Sequence, residues 1–170
     1  MSQDLSQELS QDLSLNVNGR DYELEDVPVA TSLLSVLRDR MALYGAKNAC
    51  EQGECGSCSV FLDDDVVCSC LVLAGQASGR TVRTVEGLDD DPVGGRVRRA
   101  MVELGGVQCG FCTPGFVVTA TGILGADPDA DEDAIRERLA GNLCRCTGYT
   151  KIIEAILQAR TAPVDEEADR

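Results

Sequence analysis

The chain has 170 residues with 29 acidic and 15 basic side chains, a formal net charge of −14, and no histidine. So acidic a surface repels nucleic acid and anionic membranes, which excludes both as binding partners. The lack of histidine excludes a Rieske centre, histidine-ligated haem, zinc fingers with two histidine ligands, and a histidine general base. The acidity also predicts a halophilic protein adapted to a high-salt cytoplasm, with a merely acidic protein as the alternative.

Hydropathy and cysteine content together indicate the cellular compartment. No run approaches the roughly 18 consecutive apolar residues of a membrane span. The first residues also lack the basic region followed by an apolar stretch that is typical of a signal peptide. A cytoplasmic location without a membrane span is therefore expected. In that setting, nine cysteines favour metal ligation by reduced thiols over disulfides.

The N-terminal half is predicted to form a small sheet with one helix. Residues 1–12 repeat a unit of Ser, Gln, an acidic residue and Leu, which predicts a disordered tail or a frayed helix. From Leu13, apolar and polar residues alternate on both sides of Asn18-Gly19, a pattern typical of a β-hairpin with a type I′ turn. Thr31 is predicted to cap a helix. Further strands are predicted over residues 59–62, 66–70 and 81–85.

A group of cysteines lies between that helix and the next strand, in the segment CEQGECGSC with a later SC. Their spacing, C-x4-C-x2-C-x11-C, is that of a plant-type 2Fe-2S ferredoxin loop, with a zinc site as the alternative. Gly53 and Gly56 would allow a tight loop with positive φ. A β-grasp, ferredoxin-like domain is thus predicted over residues 13–88. Its cluster ligands would be Cys50, Cys55, Cys58 and Cys70.

Cys68 lies outside this ligand set. It is expected to face away from the neighbours of Cys70 and to pack as a small hydrophobic residue. A redox or ligand-exchange role is the alternative.

The pattern changes after Gly87, where a segment rich in Asp, Pro and Gly precedes helical periodicity. The domain boundary is placed at about residues 88–92, and an acidic tail is expected at residues 161–170. Helices are predicted over residues 93–104, 114–125, 131–141 and 150–160. The predicted fold class is therefore α+β, a β-grasp domain followed by a four-helix bundle over residues 92–160.

A second group of cysteines falls on the loops of this helical region. Cys109 and Cys112 form a C-x2-C pair, and Cys144 and Cys146 form a C-x-C pair. Spacing alone leaves a structural zinc site with four thiolates and an iron-sulfur cluster equally open.

Taken together, CEQGECGSC with its distal SCL, QCGFCTPG and GNLCRCTGYTKIIEAI resemble the iron-sulfur subunit of the molybdenum hydroxylases. This family includes aerobic carbon monoxide dehydrogenase, xanthine dehydrogenase and aldehyde oxidoreductases. The resemblance runs from about Leu13 to Ala159. It departs from the family at Ala49, where relatives usually have Gly, so the backbone there should avoid strongly positive φ.

The resemblance implies specific roles for the second group of cysteines. Cys109, Cys112, Cys144 and Cys146 would hold a second 2Fe-2S cluster, nearest the molybdenum cofactor. Gln108 and Cys146 would contact the pterin of that cofactor in a partner subunit. No catalytic residue or substrate site is expected in this chain.

The resemblance also implies an assembly. A large subunit would carry a molybdopterin of the cytosine dinucleotide type and a medium subunit would carry FAD, in a dimer of heterotrimers. This chain would relay single electrons from the molybdopterin centre to the flavin. A stand-alone ferredoxin-type carrier and a ferredoxin domain with a structural zinc bundle are the alternatives. The substrate stays open among carbon monoxide, aldehydes, purines, other N-heterocycles and aromatic thioesters.

Overall fold

The computed structural model describes residues 9–161 of the chain. The tails predicted at the two ends lie outside this range, except for residues 9–12 and Thr161. Within it, each helix is too short or too polar to cross a lipid bilayer.

A five-stranded mixed sheet forms the N-terminal part of the fold, with the strand order β2-β1-β5-β3-β4. β1 pairs with β2 in antiparallel and with β5 in parallel orientation, and β3 pairs in antiparallel orientation with β4 and β5. Asn18 and Gly19 have φ values of 52° and 75°, which the predicted type I′ turn requires. The strands are β1 Ser10–Val17, β2 Arg20–Pro28, β3 Ser59–Leu62, β4 Asp65–Cys68 and β5 Thr81–Arg83.

The first strand begins earlier than its sequence pattern indicates. Ser10 pairs with Pro28 and Gln11 with Val27, so residues 10–12 are strand and not tail. The register shifts between Gln11 and Leu13. Such an irregularity interrupts the alternation of inward and outward side chains. The alternating pattern in the sequence therefore indicated a strand only from Leu13 onward.

One short helix covers the sheet ahead of the first cysteine loop. α1 spans Leu33–Ser35 and continues as a π-helical turn over Val36–Arg40. Its N-cap is Ser32, whose hydroxyl accepts a hydrogen bond from the Ser35 N–H at 3.2 Å. The prediction of Thr31 as the cap is therefore wrong by one residue. The Thr31 carbonyl instead accepts the N–H of Ala74, which ties the chain to a later turn.

Four helices follow the sheet, close to their predicted positions. α2 packs against α3 and α5, and α4 packs against both α3 and α5. The apolar core of this region also contains Phe61 from β3, so it continues onto the sheet. The helices are α2 Pro92–Glu103, α3 Thr113–Ala126, α4 Glu132–Arg138 and α5 Thr150–Thr161.

Asp91 joins the sheet to the helices. Its Oδ1 accepts the N–H groups of Val93 and Gly94, both at 2.9 Å, and so caps α2. Its Oδ2 accepts a hydrogen bond from Arg83 of β5 at 3.0 Å, and that guanidinium lies 4.5 Å from the ring centre of Phe61. Burial acts to raise the pKa of Asp91, but the hydrogen bonds from Gly94, Arg83 and Val93 outweigh it and hold the pKa below its usual range.

We predict that Asp91→Ala lowers the free energy of unfolding by about 1–2 kcal/mol, since it removes the helix cap and the partner of Arg83. Asp91→Asn should cost less because asparagine still caps a helix. Thermal unfolding of the two variants beside the unaltered chain measures the difference. Equal losses in both variants would show that the charge, and not the cap, carries the effect.

Candidate metal centres

The first cysteine loop runs between α1 and β3 and is shaped by two glycines. Gly53 and Gly56 have φ values of 75° and 66°, as expected of glycines in a tight loop. A Cβ on Gly53 would lie 2.3 Å from Leu71 Cδ1, and one on Gly56 would lie 2.6 Å from the Gly141 carbonyl oxygen. Gly56 therefore requires glycine for space as well as for conformation, whereas Gly53 requires it for conformation, because the Leu71 side chain is exposed and can move. Ala49 is not among the residues with positive φ, as predicted.

The thiols of each predicted ligand set are neighbours. In the first set, Cys55 acts to lower the pKa of Cys50, and Cys58 acts to raise the pKa of Cys70. In the second set, the sulfur atoms of Cys109 and Cys146 are 3.5 Å apart, and Cys144 acts to raise the pKa of Cys112. All of these cysteines are free thiols. Each predicted set thus contains neighbouring thiols, and Cys58 also interacts with Cys68, which lies outside the first set.

Four thiol donors at each centre suit a 2Fe-2S cluster, whose irons are bound by cysteine thiolates. Two thiolates on one tetrahedral metal with bonds near 2.3 Å have sulfur atoms about 3.8 Å apart, close to the separation of Cys109 and Cys146. The donor sets therefore fit one 2Fe-2S cluster at each centre, and they fit a four-thiolate zinc site equally.

Local hydrogen bonds prepare individual thiols for ligation. The backbone N–H of Gln52, followed by the thiol of Cys55, lowers the pKa of Cys50 to about 6. Burial acts to raise the pKa of Cys144, but hydrogen bonds from Thr147 outweigh it and bring the pKa to about 7. Burial and the neighbouring Cys144 raise the pKa of Cys112 to about 12. A cationic metal would displace the proton that such a pair retains.

Cys68 lies inside the first centre, and the prediction that it faces away is wrong. Its sulfur is 3.7 Å from the Gly53 carbonyl oxygen, to which the thiol donates. Its side chain is also hydrogen-bonded to Cys58. The physical reason is that β4 ends at Cys68. Ser69 and Cys70 lie in a turn closed by the hydrogen bond from the Leu71 N–H to the Cys68 carbonyl, so strand alternation does not separate the two cysteines.

The second centre lies partly at the surface and partly against the helical core. Cys109, Cys146 and Gln108 are exposed, whereas Cys112 and Cys144 pack on the apolar core. The predicted cofactor-contacting residues are thus accessible.

Two residues that support the second centre were not identified from the sequence. The Tyr149 hydroxyl accepts the N–H of Cys144 at 3.0 Å, and the Thr147 hydroxyl donates to the Cys144 sulfur at 3.2 Å. Tyr149 has a φ of 70°, and its ring packs edge-on against Phe116 at 6.1 Å. The available sequence signal was the position of both residues within three residues of Cys146, in the segment CRCTGY.

The two cysteine loops contact each other directly. The Leu143 N–H donates to the Cys55 carbonyl at 3.0 Å. The buried amide of Asn142 donates to the Gly56 carbonyl at 3.3 Å. At the start of α3, a Cβ on Gly115 would lie 2.2 Å from the Gly56 carbonyl oxygen. Cys55, a predicted ligand of the first centre, is thus one hydrogen bond from Leu143, the residue that precedes Cys144 of the second centre.

Two families of cluster-binding domains match consecutive parts of the chain. Residues 15–91 match the 2Fe-2S iron-sulfur cluster binding domain family, and residues 84–157 match the 2Fe-2S binding domain family. Together they cover nearly all of the residues that form the sheet, the helices and the two cysteine loops.

Curated relatives match over most of their own length. The chain is 47% identical over 146 residues to the caffeine dehydrogenase subunit gamma of Pseudomonas sp. (strain CBB1), covering 84% of this chain and 87% of the relative. It is 41% identical over 146 residues to the nicotinate dehydrogenase small FeS subunit of Eubacterium barkeri, covering 86% and 92%.

Solved structures share the fold. A chain of quinoline 2-oxidoreductase from Pseudomonas putida 86 superposes with a TM-score of 0.83 at 39% identity, over 89% of this chain and 94% of that one. Aldehyde oxidoreductase from Desulfovibrio gigas gives a TM-score of 0.79 at 38% identity, but the match covers 88% of this chain and only 17% of the larger one. The chain belongs to the family of small iron-sulfur subunits of the molybdenum hydroxylases, and is thus a subunit of an oxidoreductase.

Proposed function

We propose that this chain relays single electrons between a molybdopterin centre on a large partner subunit and FAD on a medium one. The observation that carries this proposal is the hydrogen bond from the Leu143 N–H to the Cys55 carbonyl, which joins the two ligand loops. The four helices form the bundle domain of the second centre, nearer the molybdopterin. The β-grasp domain holds the centre nearer the flavin.

The eight paired cysteines are the ligands in this proposal. When bound, each 2Fe-2S cluster accepts or donates one electron at a time. Cys50 and Cys55 hold one iron of the first cluster, and their neighbours Cys58 and Cys70 hold the other. The second cluster is held by the pairs Cys109 with Cys146 and Cys112 with Cys144.

The sulfur pairs predict the metal content. Chain purified without oxygen should contain four irons and four acid-labile sulfides, no stoichiometric zinc, and two distinct rhombic EPR signals after reduction with dithionite. Elemental and sulfide analysis with EPR checks this. Two irons with one zinc would support the structural zinc alternative and remove the second centre from the relay.

The chain itself supplies a short connection between the two centres. From the Cys55 sulfur, the path follows covalent bonds to the Cys55 carbonyl, crosses one hydrogen bond to the Leu143 N–H, and continues along the chain to the Cys144 sulfur. Asn142, which is 4% exposed, braces the same contact from the side. These groups hold the loops together.

We predict that Leu143→Pro, which removes the N–H donor, slows electron transfer between the two centres several-fold. Leu143→Ala keeps the N–H donor while losing the same side chain as the proline variant, and is therefore the matched control for the backbone change. Freeze-quench EPR of the intact complex mixed with its substrate follows the reduction of each centre. Unchanged transfer in the proline variant, with four irons per chain, would contradict this connection.

An apolar surface around the second centre supports docking of the large subunit. Phe111 and Leu143 are 45% and 52% exposed and adjoin ligands of that centre in the chain. Cys109, Cys146 and Gln108 are exposed in the same loops, which suits the proposed contact of Gln108 and Cys146 with the pterin. Exposed apolar side chains grouped with functional residues mark an interaction site. A stand-alone carrier would leave these apolar side chains exposed to water, which argues against that alternative.

We predict that Phe111→Asp or Leu143→Asp separates this chain from the molybdenum subunit, since each places a charge in the proposed interface. Val29→Asp is the matched control, because Val29 is 39% exposed directly after β2 and lies 21 residues before Cys50 in the sequence. Chain isolated from its native cells is assayed for molybdenum, pterin and FAD. Loss of molybdenum in the control as well would show that any added charge disrupts the assembly.

The remaining features of the assembly follow the relatives. The complex is proposed to be a cytoplasmic dimer of heterotrimers whose large subunit holds a cytosine dinucleotide form of molybdopterin and the substrate site. The printed names of relatives include dehydrogenases of nicotinate and caffeine, and an N-heterocycle is accordingly the substrate class proposed here.

A further inference from the structure

Cys68 is the cysteine that the two sets of four ligands leave over, and it lies in the first centre beside Cys58. We propose that Cys68 is an alternative fourth ligand of the first cluster, able to replace Cys70 beside Cys58. This inference rests on the proposed assignment of a 2Fe-2S cluster to the first centre.

Cys58 interacts with both candidate partners. The Cys68 side chain acts to raise the pKa of Cys58, and the Cys70 side chain acts to lower it. The pair needed to hold one iron can therefore be completed from either side of Cys58. Cys68 also interacts electrostatically with Cys50 and Cys55, so it faces the whole centre.

Cys68 and Cys70 flank the same residue of the cluster loop. The Cys70 sulfur accepts a hydrogen bond from the Gly53 backbone N–H. The Cys68 thiol donates to the Gly53 carbonyl, with 3.7 Å between sulfur and oxygen. Both sulfur atoms thus reach the turn that would enclose the cluster.

Ser69, the residue between the two cysteines, is tied directly to Cys58. It is fully buried, and both its hydroxyl and its backbone N–H donate to the Cys58 carbonyl, at 2.7 Å and 3.3 Å. With the residue between them fixed, the exchange needs only side-chain rotation and adjustment of the turn after β4.

The exchange is balanced without any redox partner. The bond between iron and the Cys70 sulfur breaks and a bond between iron and the Cys68 sulfur forms. The proton of the Cys68 thiol passes to the departing Cys70 sulfur. The oxidation states of iron and sulfur, and the total charge, do not change.

The other ligand pairs contain no spare thiol. The remaining cysteines of the chain are all assigned: Cys50 with Cys55, Cys109 with Cys146, and Cys112 with Cys144. Replacing Cys50 therefore offers a matched control in the same loop.

Iron and sulfide per full chain, together with EPR, test the proposal. Cys70→Ala is expected to keep four irons, with a changed signal from the first centre, and Cys68→Ala is expected to keep four irons. The double variant Cys68→Ala, Cys70→Ala should fall to two irons with the second signal intact. Cys50→Ala should also fall to two.

Two irons in Cys70→Ala alone, with the second centre present, would overturn the ligand exchange. If Cys70→Ala yields no folded chain, the single variant Cys70→Ser is compared with the double variant that carries Cys70→Ser and Cys68→Ala. A first-centre EPR signal that differs between the two depends on Cys68 and supports the proposal. Identical signals overturn it. Absence of a first cluster in the unaltered chain would instead contradict the proposed function.

Discussion

Direct backbone contact between the two cysteine loops is the constraint on which the rest of this structure depends. The Cys55 and Gly56 carbonyls both accept hydrogen bonds from the segment that leads into Cys144. Such contact leaves no room for side chains, which is why glycine is required at Gly56 and at Gly115 of α3. The sheet and the helices hold these loops in register, and Asp91 fixes the other end of the junction. Two structurally different domains thereby present their cysteines as one continuous unit.

Much of this arrangement could be predicted because local patterns determine it. The Asn18-Gly19 turn, Pro114 near the start of α3 and the Asp131 cap of α4 each act through neighbouring residues. The cysteine spacings likewise indicated two sets of four. Local signals failed where two equally suitable residues compete, as at the N-cap, where Ser32 and not Thr31 accepts the capping hydrogen bond.

Contacts between distant segments could not be predicted from the sequence. Asn142 is an ordinary loop residue by sequence, yet its amide reaches a carbonyl 86 residues earlier in the chain. Tyr149 lies in the recognised CRCTGY motif, but the sequence assigns it no role. Its hydroxyl accepts the Cys144 N–H, a contact that exists only in the folded loop. The zinc and iron-sulfur interpretations of the second centre were equal by spacing. The match of residues 84–157 to a 2Fe-2S binding domain family favours iron-sulfur.

The difference in exposure between the two centres has a consequence for maturation. Cys58 is 2% exposed beneath its loop, whereas Cys109 and Cys146 lie open at the surface, where the large subunit is proposed to dock. A docked subunit would cover those two thiols and block the delivery of iron and sulfide to them. In the proposed assembly, insertion of the second cluster would therefore precede association.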